Sequence, residues 1–132
     1  MAGPPLYIIL CSGEHEKVQM AAMMAAVAAV SDRRVEVFVS MNALATFANE
    51  APPGGRYHGG TFSGLLRDKS APDALDLLRQ GRELGDLKLW ACSMALDVCG
   101  WTLADLADNL FDGTLGLTSF LSAAENGQLA TL

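Results

Sequence analysis

Leu6-Tyr7-Ile8-Ile9-Leu10-Cys11 is apolar without interruption. A strand with one wet face alternates apolar and polar side chains, whereas a strand covered on both faces has no reason to alternate. The run therefore predicts an inner strand of a parallel sheet. Parallel neighbours cannot be joined by a hairpin and need long, usually helical, crossovers. The chain supplies them. Ser12-Gly13 breaks the run, and Glu14 and Glu16 then carry the charge sign that suits a first helical turn. That helix is expected to run to about Val30, before a second strand at 35–39 and a short helix from 41 to about 48. Residues 73–84 read as a helix with Ala71-Pro72 at its start. A third strand is expected at 87–92 and a short helix at 93–99, stopped by Gly100. Another helix is expected to begin at Thr102, a plausible N-cap with Asp105 three residues on. A fourth strand at 115–120, a short helix or turn at 122–127 and a truncated strand at 129–132 complete the order.

Alternating strands and helices predict an α/β fold, with right-handed crossovers placing helices on both faces of the sheet. The expected architecture is a Rossmann-like or flavodoxin-like three-layer sandwich with a mainly parallel sheet. Length agrees, since 132 residues suit a single domain over 1–132. Hydrophobic residues are 51% and charged residues 18% of the chain, ample for a core. The segment 49–71 stands apart. It holds Pro52, Pro53 and the glycines 54, 55, 59, 60 and 64. A connection of that length is expected to be functional or mobile.

Charge narrows the function. The net charge is −6 and no Lys/Arg cluster exceeds Arg33-Arg34, so no nucleic-acid partner is expected. The apolar run 20–30 is too short to span a bilayer, and no membrane role is expected. Three cysteines without a recognisable export signal read as reduced thiols in a cytoplasmic protein. The helix 14–30 is nearly apolar all round: from Val18 to Val30, Gln19 is its only polar side chain. Such a helix needs cover on more than one side, which predicts a homo-oligomer, and Met20, Met23 and Met24 suit an adaptable contact surface.

Ligands of open parallel sheets meet the carboxyl ends of the strands. Cys11 ends the first strand and Cys92 the third. If those strands are neighbours, their backbones lie about 4.8 Å apart and the thiols line one pocket. Cys92 also directly precedes a helix start at Ser93, where unpaired N–H groups and the helix dipole favour an anion such as a thiolate. The alternative, that Cys92 is a small buried apolar side chain, stays open. Cys99 lies two helical turns, roughly 10 Å, beyond Cys92, too far for a ready disulfide, and reads as packing. Metal binding is not expected. His15 and His58 are far apart, neither pairs with a cysteine at ligand spacing, and there is no CxxC. His15 reads as a solvated helix-start residue and His58 as an exposed loop residue. No phosphate loop, GxGxxG or nucleophile elbow is present, so no nucleotide cofactor or serine hydrolysis is expected.

The stretch Trp90-Ala91-Cys92-Ser93-Met94-Ala95-Leu96-Asp97-Val98-Cys99-Gly100 resembles the A-C-x-M-x-x-D-x-x-G pattern of the DsrE-like subgroup sometimes labelled peroxiredoxin-family. Ser12-Gly13, Lys17, the Ala/Met-rich helix, the strand at 35–39, Gly116 and Phe120-Leu121 are similar to the rest of the DsrE/DsrF-like sulfur-relay pattern. The resemblance covers nearly the whole chain. It implies trimeric or hexameric assembly and an intracellular sulfur relay. In such a relay a cysteine takes sulfane sulfur as a persulfide, from a rhodanese-like donor for example, and passes it to a small carrier protein. Carried over, that sulfurtransferase or carrier cysteine is Cys92, with Cys11, Cys99 and Lys17 as candidate assistants and no cofactor. A peroxidase is not implied: the Pro-x-x-x-Thr-x-x-Cys signature is absent before Cys92, where Asp86-Leu87-Lys88-Leu89-Trp90-Ala91 stands instead. The competing readings are a non-catalytic oligomeric binding or scaffold module, making its contact through 49–71, and a thiol redox sensor.

Overall fold

The computed structural model describes residues 3–51 and 55–132. The strands are β1 (Leu6–Leu10), β2 (Val35–Val39), β3 (Leu87–Cys92), β4 (Gly113–Leu115) and β5 (Gln128–Thr131). The helices are α1 (His15–Val30), α2 (Ala43–Thr46), α3 (Thr61–Asp68), α4 (Ala74–Leu84), α5 (Ser93–Cys99) and α6 (Leu117–Ala123). All strand pairs are parallel, in the order β4-β3-β2-β1-β5. This is the expected α/β architecture. β1 and β2 are inner strands, as the unbroken apolar run at 6–11 leads one to expect for β1.

Register assigns the faces. Leu6, Val35 and Leu87 lie side by side, as do Ile8, Val37 and Leu89. These side chains face α1 and α4, which pack on each other; α4 comes so close that a Cβ on Gly81 would stand 2.8 Å from the Leu87 Cδ2. Strand pleating turns Tyr7, Ile9, Glu36, Phe38, Lys88 and Trp90 the other way. There α6 supplies one plug, Phe120, which is buried with its ring centroid 5.6 Å from Tyr7 and 5.1 Å from Phe38. This layer is thinner: Ile9 and Trp90 are half-buried and Lys88 is exposed. The Glu36 carboxylate in it accepts from Arg34 Nη2 and from Trp90 Nε1, each at 2.8 Å. The pair holds the Arg34 guanidinium above its ordinary pKa.

Three local expectations fail. The fourth strand is β4 at Gly113–Leu115, and 117–123 is helix, because Leu117, Phe120 and Leu121 follow an i, i+3, i+4 pattern that sets Phe120 onto the sheet. The helix expected from Thr102 is one 3₁₀ turn, Leu103–Asp105, closed by a reciprocal capping box between Thr102 and Asp105. The segment 49–71 contains α3, which lies across the start of α1.

Candidate functional site

The strand order reverses between β1 and β5, so the topological switch point is the carboxyl edge of that pair. Cys11 stands there, half-buried. Its amide donates to the Leu132 carbonyl at 2.9 Å, and its thiol points at the same oxygen at 3.3 Å. Cys92 ends β3 at the same edge, but β2 lies between β1 and β3. The expected Cys11–Cys92 adjacency is therefore not met: two inter-strand spacings, roughly 10 Å, part their backbones.

Cys92 is the N-cap residue of α5 with extended backbone (φ −64°, ψ 119°), and α5 ends at Gly100 in the left-handed region (φ 70°). The helix start thus falls at Ser93, where the sequence places it. The residue is only 4% exposed and lines none of the described clefts. Cys99 is exposed at the far end of α5, and all three cysteines are free thiols. Lys17 is exposed on the first turn of α1, loosely paired with Glu14 at 3.9 Å. The carboxyl edge thus gathers Cys11 and Cys92, while Cys99 and Lys17 stand outward.

The open cleft at this edge sits over β1 and β2. Its volume is about 400 Å³, and its walls include Ser12, Glu14, Asn42, Arg56 and His58. The tight β1–α1 turn forms one side: a Cβ on Gly13 would fall 2.8 Å from the Asn42 carbonyl oxygen, so only glycine lets turn and α2 approach. Chain 55–60 forms another side, joined to the turn by a parallel bridge between Glu14 and His58 and by the His15 amide donating to the His58 carbonyl at 2.8 Å.

His15 is 4% exposed, against the expectation of a solvated residue. Its Nδ1 lies 2.7 Å from the buried Ser63 hydroxyl on α3, and its ring stacks on Tyr57 at 4.4 Å. The Tyr57 hydroxyl donates to Asp73 at 2.7 Å, and burial together with that bond raises its pKa. Gln19 donates to the Pro72 carbonyl at 2.9 Å, and the Glu16 carboxylate accepts the Gly60 amide at 2.9 Å. These bonds fasten 57–73 to α1. They join residues 44 or more positions apart in several cases, so local sequence reading had no signal for them. Among the described residues no group of His, Cys, Asp and Glu could hold a metal ion. No described helix is long and apolar enough to cross a membrane.

No family model and no curated protein matches the chain. Among solved structures it is similar to the protein of unknown function MTH1491 from Methanobacterium thermoautotrophicum, with a TM-score of 0.64 at 14% identity, covering 98% of this chain and 100% of that one. At that identity the likeness establishes a shared α/β fold and nothing finer.

Proposed function

We propose that this protein is a cysteine-based carrier of sulfane sulfur, with Cys92 the acceptor. The observation that carries the reading is the position of Cys92: last residue of β3 and N-cap of α5, at the carboxyl edge of a parallel sheet. In the transfer, the Cys92 thiolate attacks the outer sulfur of a donor persulfide. A new S–S bond forms to Cys92, the donor S–S bond breaks, and the donor leaves as a thiolate. The reverse exchange hands the sulfur to an acceptor thiol, and no external oxidant or reductant is consumed. Burial of Cys92 demands that its cover open for each exchange, and it shelters the persulfide between exchanges. Such a carrier works among reduced thiols, so the cytoplasm is its proposed compartment. The proposed assembly is a homo-oligomer, trimeric or hexameric by resemblance, formed through the exposed stripe of α1.

The test is intact-protein mass spectrometry after incubation with a low-molecular-weight persulfide. A gain of one sulfur, about 32 Da, is expected. After excess small thiol has stripped the more accessible Cys99 and Cys11, one sheltered sulfur should remain; it should vanish in Cys92→Ser and persist in Cys11→Ser and Cys99→Ser. A retained adduct that survives Cys92→Ser, or none in the wild-type chain under conditions that label its thiols, refutes the role of Cys92.

A further inference from the structure

The cleft over the β1–α1 turn takes no part in the cysteine chemistry, and among the described residues Arg56 is the one cation in its lining. Ser12 Oγ accepts the Glu14 amide at 3.1 Å, which leaves the hydroxyl hydrogen free to point elsewhere. Arg56 commits Nη1 to two carbonyls, Thr46 at 2.7 Å and Ala48 at 2.6 Å. Those bonds fix the guanidinium plane, and among the described residues Nη2 and Nε have no hydrogen-bond partner. Among the described residues no carboxylate reaches salt-bridge distance of Arg56, in a chain with 15 acidic residues against 9 basic ones. Asn42 and His58 add an amide and an imidazole to the same walls. The one acid in the lining, Glu14, has its side chain 63% exposed and leans towards Lys17. A guanidinium held in place by neutral carbonyls, beside a free hydroxyl, suits recognition of an oxyanion. The volume of about 400 Å³ lies within the range of metabolite sites and exceeds what an oxyanion head alone would fill.

We propose that this cleft binds a small metabolite through an oxyanion group, gripped by Arg56 and Ser12 at the carboxyl ends of β1 and β2. The proposal is independent of Cys92, and persulfide loading neither requires nor reports it. The test is a ¹H–¹⁵N titration of the full chain with inorganic phosphate, sulfate and acetate, each at fixed ionic strength against chloride. Saturable shifts are expected at Ser12, Gly13, Asn42 and Arg56. The strongest of the three anions identifies the head group as phosphate, sulfo or carboxylate. Arg56→Gln should weaken binding at least tenfold, about 1.4 kcal/mol. Because Arg56 also ties two carbonyls, Ser12→Ala serves as the second variant; it leaves the guanidinium in place and should weaken binding several-fold. Shifts that fail to saturate, that spread over the other surface cations, or that survive both substitutions in folded protein overturn the proposal.

Discussion

His15 sets the pH dependence expected of this fold. Burial disfavours its imidazolium and lowers its pKa below 6.5; Arg67 acts in the same direction, while Glu16, Asp73 and a bond to Gln19 oppose. The unfolded chain therefore binds more protons than the folded one between the folded value and 6.5. The stabilisation is complete above 6.5 and is lost as pH falls through the folded value. The midpoint of urea unfolding should drop between about pH 7.5 and about pH 5, and His15→Gln should flatten the slope. Glu16 acts in a lower window. Its own backbone and the Gly60 amide depress its pKa below 4.5, so its contribution disappears only in stronger acid. If His15→Gln leaves the slope between the two pH values unchanged, the ring does not govern it. Cys92 shows a second consequence of burial. Labelling by a small thiol reagent should be fast at Cys99, intermediate at Cys11, and on the order of a hundredfold slower at Cys92 than at Cys99, matching a local opening of about 3 kcal/mol. Equal rates at the three thiols would mean that Cys92 is not covered in solution. The sequence reading located Cys92 at a strand end before a helix. It could not reveal the cover, which comes from parts of the chain that meet it only on folding.

Elements meet closely where glycine permits it. Gly85 closes α4, and a Cβ there would stand 2.8 Å from the carbonyl carbon of Ala29 on α1. The neighbour is backbone and cannot swing aside, so Gly85→Ala should destabilise the chain by about 1–3 kcal/mol. Gly64 is the opposite case. It lies inside α3, and a Cβ there meets nothing within 4 Å. Gly64→Ala should stabilise by about 0.5–1 kcal/mol through helix propensity alone. Chemical denaturation of the two variants checks both signs, and a loss at Gly64 would mean that α3 packs differently. The same contrast explains what was legible at this scale. The unbroken apolar run at 6–11 was read as a doubly covered strand, and β1 is an inner strand of the parallel sheet. The run at 115–120 is short and apolar enough to suit either geometry. Only the demand that Phe120 cover Tyr7 and Phe38 decides for helix. Arg56 and Asn42 had no motif to announce them, because the cleft exists only once 55–58 pairs beside the β1–α1 turn.

At the scale of the whole molecule, α1 sets the problem that the isolated chain leaves unsolved. One side of the helix is sealed: Val18, Ala21, Ala22, Ala25, Ala28 and Ala29 are buried. The other side carries Met20, Met23, Val27 and Val30, all exposed. Their spacing of three, four and three residues draws a stripe along the helix, the pattern by which one helix seats against another. Leu6 and Met24 flank the stripe in a shallow apolar groove, bordered by Arg33 and Gln128. A contiguous apolar strip is uncommon on a monomer, since water gains by its removal. Alanines on the buried side let α1 lie close to α4, while methionines on the open side can adapt to a partner surface. Self-association through this stripe is therefore the expected state. Light scattering at micromolar concentration should give a mass above the 13.9 kDa of one chain. Met23→Glu with Val27→Glu should return it to one chain, because a carboxylate buried in an apolar seam has no partner. Met23 is 45% and Val27 64% exposed in the single chain, so each change should alter the stability of the monomer by no more than about 0.5 kcal/mol. A wild-type monomer at that concentration would leave the stripe without a second copy to cover it and would remove the assembly from the proposed function. It would leave both the buried thiol and the Arg56 cleft in place, because neither is built from α1 residues of the stripe.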